Sequence, residues 1–353
     1  MTAALSLARA PYQRLVGPMF DSPEAVVSHF GCMQSQDFAM AKWAIAQRST
    51  GLTDVDLDDA FGEGRFLRTH ILRPTWHFVV PQDLGWIMAL TAPRVDRLMA
   101  TFNKTIDLGE AELDRAADII VKALDGGEPL TRAQLAQHLA DAGLKASGPR
   151  LAHLFIHSEL RALICNGPIA GKQHTYVLAP GAVTATLALS EDEALARLAR
   201  TYVRGHGPCQ PADLSWWSSL TLTQSRRAFE LAGLEPRTID GQELWCDQSV
   251  AEESPLPRAA LIPAFDESIS YVAKPIDLRR FPGALPDLAR GGGLLFVDGL
   301  IGGTWGRRIK SKVVEIDVRI HGPVPRATAK AIEAEAERYA AFLGSQMVLN
   351  ITA

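Results

Sequence analysis

"LTRAQLAQHLADAGLKASGPRLAHLFIHSELRALICNGPIAGKQHTYVLAP", residues 130–180, decides how this chain is read. Thr131 reads as an N-cap, since a hydroxyl there accepts from an amide that the first helical turn leaves unpaired. "LTRAQLAQHLADAGL" is then one helix and "GPRLAHLFIHSELRALI" the next, and "CNGPIAGKQHTYVLAP" gives two apolar stretches around a glycine-containing turn. A long helix beginning near Ile106 precedes them. Helix, helix, helix, strand, wing, strand is the plan of a winged helix-turn-helix unit, whose third helix is the one offered to a groove.

The order recurs with little sequence identity. Residues 191–250 give "EDEALARLARTYVRGHG", "QPADLSWWSSL", "TLTQSRRAFELAGL" and "RTIDGQELWC", with Asp240 and Gly241 as a tight hairpin turn. A more diverged third copy is read over residues 10–80. There, Ser22, Pro23 and Glu24 form an N-cap, a first-turn proline and a first-turn acid, and Val26, Val27 and Phe30 give the helix one apolar face that Gly31 ends. A second helix begins near Phe38 and carries Met40, Trp43 and Ile45.

Between those two helices, "MQSQD" sets Gln34 and Gln36 one residue apart. Residues two apart point the same way along an extended segment, but lie about 200° apart on a helix. An extended connection would therefore aim both amides at one target.

The last third changes character. "AALIPAF", "GGLLFVDGLIGGTWGRRI" and "KVVEIDVRI" read as strands, with Asp298 and Gly299 as a two-residue turn, and "PRATAKAIEAEAERYAAFLGSQ" as a final amphipathic helix. The expected class is α+β and mainly helical. Its parts are an N-terminal helical, winged-helix-like unit (residues 1–100), two winged helices (101–185 and 186–252) and a β-rich, partial-barrel domain with a last helix (253–353). The boundary before that domain falls at Glu253–Pro257.

A formal charge of −4 argues against a wholly basic nucleic-acid coat. Local patches still count, and the densest joins Arg307, Arg308, Lys310 and Lys312; these are candidate phosphate contacts, or else a solvated strand edge. Cys32, Cys165, Cys209 and Cys246 show no C-x-x-C spacing, and no signal-peptide order opens the chain, so a reduced cytoplasmic protein is expected.

Familiar catalytic signatures are missing. Gly291, Gly292 and Gly293 follow Arg290 without a phosphate-cradling spacing, so no nucleotide cofactor is expected. His153 and His157 are four apart on a helix but lack the HExxH glutamate, which points away from a metal. "TWHFV" places Thr75 and His77 on one face of a strand, with Arg73 just before, and Asp266 and Glu267 end an apolar strand; Arg73, Thr75, His77 and Asp266 are candidate site-lining residues. For each, the plainer reading is packing or solvation. Adjacent Trp216 and Trp217 read as core packing plus one surface contact.

"MQSQD", "TWHFV", "PADLSWWSSLT" with its following "SRRAFE", "LIPAFDES" and "VDGLIGGTW" occur in the order seen in the AlkZ family of winged-helix DNA glycosylases, which the chain resembles over nearly its whole length. The resemblance implies tandem winged-helix units and a β-rich part in a C-shaped arrangement around DNA. The family's glutamine, apolar residue, glutamine signature falls on Gln34 and Gln36, which the resemblance makes catalytic. Ser35 stands where crosslink-unhooking members carry an aliphatic residue, and Gln36 stands where the related YcaQ branch carries aspartate.

The expectation is a monofunctional DNA glycosylase, without cofactor or metal, that releases N7-alkylguanine-type bases, interstrand crosslinks among the candidate substrates. It would act as a monomer on alkylated double-stranded DNA, in the cytoplasm at the bacterial nucleoid and away from membranes. Two other readings stay open: a non-catalytic winged-helix regulator, and an interaction scaffold in which the two glutamines only satisfy backbone groups.

Overall fold

The computed structural model describes residues 7–16, 19–181, 189–239, 241–247, 249, 257–270 and 292–352. Asp240, the linker residues 253–256, and Arg290 with Gly291 lie outside them.

Ser22 caps the first helix, α1 (Pro23–Phe30), its hydroxyl accepting from the Ala25 amide at 3.2 Å, and Gly31 ends it at φ 79°. A short strand, β1 (Cys32–Gln34), leads into α2 (Phe38–Ala46), capped by Asp37. Then come α3 (Asp54–Gly62), the antiparallel pair β2 (Leu67–His70) and β3 (Trp76–Val79), and the long α4 (Pro81–Thr105). The opening stretch follows as α5 (Glu110–Leu124), β4 (Leu130–Thr131), α6 (Arg132–Asp141), α7 (Gly148–Leu160), β5 (Ile164–Ala170) and β6 (Gln173–Leu178). Thr131 and Gln134 form a reciprocal capping box at the start of α6. Leu113, Ala116, Ile120 and Leu124, three or four apart on α5, pack with Leu135 and Leu139 of α6 and with Leu154 and Phe155 of α7. Burying one such large apolar side chain is worth roughly 1.5–3 kcal/mol, so this stripe holds the three helices together.

The chain continues through α8 (Glu191–His206), α9 (Pro211–Ser218), α10 (Leu222–Leu231) and a two-stranded ribbon, β7 (Pro236–Ile239) with β8 (Gln242–Trp245). It ends with β9 (Ala259–Pro263), the single turn α11 (Glu267–Ser270), β10 (Gly293–Val297), β11 (Leu300–Lys310), β12 (Val313–Ile320), α12 (Arg326–Phe342) and β13 (Gln346–Thr352).

These elements form two compact units, one of residues 1–57, 200–213 and 234–353, the other of 58–199 and 214–233. In the second, strands follow the order β3-β2-β5-β6-β4. In the first, a five-stranded sheet runs β13-β12-β11-β10-β9, antiparallel except where α12 returns the chain to lay β13 parallel beside β12. Among the described residues that sheet, for which a partial barrel was expected, does not close into a full one and has β9 and β13 as its edges. The return through α12 extends the sheet at β12.

The core of the first unit is aromatic. Trp43 of α2 meets Tyr339 of α12 edge-on at 4.9 Å and Phe342 at 5.3 Å, and its indole N–H donates to the Leu261 carbonyl of β9 at 2.8 Å. Such pairs add about 0.5–1.5 kcal/mol each beyond the area they bury. Trp305 of β11 donates to the Ile262 carbonyl at 3.0 Å, and a Cβ on Gly293 would collide with that same carbonyl and with the Trp305 indole. The third glycine after Arg290 therefore serves strand packing. No helix among the described residues is long and apolar enough to cross a membrane.

Candidate active site

The connection carrying the two glutamines is pinned at both ends. Gly31 turns it out of α1, and Asp37 accepts from the Met40 amide at 3.1 Å to start α2. Between them, Met33 and Ser35 are buried, Gln34 is half-buried and Gln36 is exposed. Met33 and Ser35 thus turn inward, Gln34 is only partly covered, and Gln36 faces solvent. Strand geometry ends at Gln34, and Gln36 lies in the bend that follows. The Gln34 side-chain carbonyl oxygen is itself buried and accepts no hydrogen bond among the described residues. An amide oxygen has two lone pairs to offer, so this one retains its capacity for a partner from outside the chain.

What holds Gln34 is its backbone. Its N–H donates to one carboxylate oxygen of Glu267, the first residue of α11, at 2.7 Å. The other oxygen faces Nε2 of His206, the last residue of α8, at 2.8 Å. His206 Nδ1 lies 3.1 Å from the Tyr202 carbonyl, and its ring stacks on Tyr202 at 4.7 Å and meets the Phe30 edge at 5.4 Å. His206 and Glu267 are both excluded from solvent.

Asp266, the expected lining residue, is used elsewhere. Both its oxygens bind Arg48, at 2.7 and 2.8 Å, with neither side chain exposed. Arg48 also donates to the Gln13 carbonyl at 2.8 Å and lies over the Phe30 ring. Asp266 therefore locks the first unit together behind the connection, and its neighbour Glu267 is the acid that reaches Gln34. Glu267 shared the same strand end in the sequence; nothing around His206 signalled its part.

Arg73, Thr75 and His77 belong to the second unit. Arg73 lies over the ring of half-exposed Trp216, and the Thr75 carbonyl accepts from His77 Nδ1 at 2.9 Å. His77 is fully buried opposite Thr69 in the β2–β3 pair. His153 and His157 bind different groups: His153 Nδ1 lies 2.6 Å from the Asn103 amide oxygen and His157 Nε2 2.9 Å from the Asp114 carboxylate. Burial pushes the pKa of both imidazoles down. Among the described residues, no group of three His, Cys, Asp or Glu side chains is placed to hold a metal ion.

The basic strand end is largely matched within the protein. Arg308 pairs with Glu315 at 2.8 Å and with Asp317 at 3.2 Å, Lys310 pairs with Glu315 at 2.5 Å, and Arg307 donates to the Tyr339 hydroxyl. Those partners hold the Glu315 carboxyl below the usual carboxylate range. All four cysteines are buried thiols, and burial pushes the Cys165 thiol up to about 12.

A fold of helices joined to small sheets, with two glutamines on a short connection and no metal cluster among the described residues, has clear relatives. The sequence model described as DNA glycosylase AlkZ-like matches residues 27–342, and the chain belongs to that family of enzymes; it is a DNA glycosylase. The interstrand DNA cross-link repair glycosylase of Streptomyces sahachiroi is 23% identical over 346 residues, which cover 92% of this chain and 91% of that one. The structure of Streptomyces sahachiroi DNA glycosylase AlkZ superposes with a TM-score of 0.78 at 20% identity, covering 99% of this chain and all of the other.

Proposed function

We propose that this enzyme is a monofunctional glycosylase that hydrolyses the N-glycosidic bond of N7-alkylguanine-type bases in double-stranded DNA, and that Gln34 and Gln36 carry the reaction. The observation that carries the reading is the buried oxygen of Gln34, which accepts no hydrogen bond among the described residues, on a connection that is fixed at both ends and leaves Gln36 exposed. The cross-link repair named for the Streptomyces relative supports extending the substrate class to alkylguanines tied across the two strands.

Alkylation at N7 puts positive charge into the guanine ring and weakens the glycosidic bond, so departure needs little help from a general acid. Neutral amides then suffice. One carbonyl oxygen accepts from the attacking water, and the other turns its dipole toward the positive charge developing on the sugar. Preorganised dipoles of this kind are worth about 10²-fold or more in rate when one is removed. A base tied to the opposite strand cannot be flipped into a closed pocket, so residues on an outward connection suit that substrate.

Residues 31–37 contain no lysine, and the nearest one after them, Lys42, is buried and paired with Asp54 at 2.8 Å. No amine on this connection forms a Schiff base with the opened sugar. We read α5, β4, α6, α7, β5 and β6 as a winged-helix unit that supports DNA binding. The regulator reading fits less well, because α7 is almost wholly buried from Leu154 to Leu160. Arg150 within it and Arg161 at its C-cap are also engaged, Arg150 with the Ile106 carbonyl at 2.6 Å and Arg161 with His157 at 3.0 Å.

The test is incubation with a duplex carrying N7-methylguanine. Free methylated base should appear together with an abasic but intact strand. Strand cleavage without heat or alkali contradicts the monofunctional reading, and no base release contradicts the substrate.

A further inference from the structure

We propose that Glu267, held by His206, is the positioning residue that sets Gln34 for base release. The proposal rests on the catalytic reading of Gln34 given above. Gln34 is the last residue of β1, where strand hydrogen bonding gives out, and the peptide after it enters a bend. Its amide would be a loose end without a fixed acceptor. Glu267 supplies that acceptor at 2.7 Å from a position 233 residues away in the chain. The orientation of the Gln34 side chain follows from that of its peptide, and an error of about 1 Å in a reacting group can cost 10²-fold.

His206 makes Glu267 a fixed point. A backbone carbonyl can only accept, so the 3.1 Å contact from Nδ1 to the Tyr202 oxygen puts a hydrogen on Nδ1. The 2.8 Å contact from Nε2 to Glu267 then holds one more proton, shared between imidazole and carboxyl. The Tyr202 and Phe30 rings prevent the imidazole from turning, and solvent reaches neither partner. Asp266 next door cannot substitute, since Arg48 takes both its oxygens.

This arrangement distinguishes reach from charge. In Glu267→Gln the side-chain carbonyl still accepts from the Gln34 N–H, and the new NH₂ donates to Nε2 of an imidazole protonated on Nδ1, so every hydrogen bond closes without the negative charge. Glu267→Asp keeps the charge but shortens the side chain by one methylene and withdraws the oxygen. Single-turnover release of N7-methylguanine, corrected for folded fraction by thermal melting, should stay within about 3-fold of the parent in Glu267→Gln and fall about 10-fold or more in Glu267→Asp. Duplex affinity should hold in both. Because Glu267 acts through Gln34, adding Glu267→Asp to Gln34→Ala should cost nothing beyond Gln34→Ala alone. A full-rate Glu267→Asp overturns the proposal, as does a Glu267→Gln no better than Glu267→Asp, or losses that multiply in the double variant. Parent-like release by Gln34→Ala alone would instead overturn the catalytic reading beneath it.

Discussion

At the scale of single residues, backbone placement decides more than side-chain type. Asp266 and Glu267 are adjacent acids, yet one neutralises a buried arginine and the other holds the Gln34 amide. Their order in the sequence carries no such information, because Arg48 lies 218 positions away. An extended connection through both glutamines was expected, whereas strand geometry stops at Gln34 and Gln36 lies in a bend. His29 shows the same dependence on distant packing: Phe20 and Phe30 crowd its ring, and its Nε2 donates to the Tyr12 carbonyl at 2.9 Å. Burial, with a smaller effect from Arg204 and Arg14, lowers its pKa from 6.5 to about 3. The unfolded chain therefore binds this proton first. The stability His29 contributes is present above pH 6.5 and is lost as pH falls toward 3. His29→Gln keeps a donor for Tyr12 without titrating. Between pH 6.5 and 5 the parent should lose about 1.5 kcal/mol more than this variant in urea unfolding. Parallel losses would show that His29 is not held neutral.

At the scale of elements, the signals that were local came through. Ser22 and Thr131 cap the helices their hydroxyls predicted, and Asp298 and Gly299, at φ 48° and 78°, form the two-residue turn between β10 and β11. β13 did not stand out, because a parallel strand gains its partner through α12 and not through an adjacent turn. The basic strand end was visible as sequence, but Glu315 and Asp317 lie across from it only once β12 pairs with β11. If Arg308 and Lys310 leave those partners for phosphates, changing both to Gln should lower the slope of log K against log salt by up to about 0.9 for each phosphate no longer neutralised. A duplex-binding slope that does not change would leave them as a self-paired strand end.

At the scale of the whole molecule, the chain crosses between its two compact units four times, so no single cut in the sequence separates them. Order of motifs revealed the family, because five short stretches in sequence constrain more than any one of them. It could not reveal how residues near 34, 206 and 267 share one unit, since those contacts join segments that the second unit interrupts. The central claim is that two neutral amides on the connection between α1 and α2 perform the reaction. Gln34→Ala and Gln36→Ala, each followed for N7-methylguanine release, duplex affinity and melting temperature, test it most directly. The account predicts release slowed by about 10²-fold or more in each, with affinity set by phosphate contacts elsewhere and melting almost unchanged. Full excision by both variants, or losses that only follow a lowered melting temperature, would contradict it.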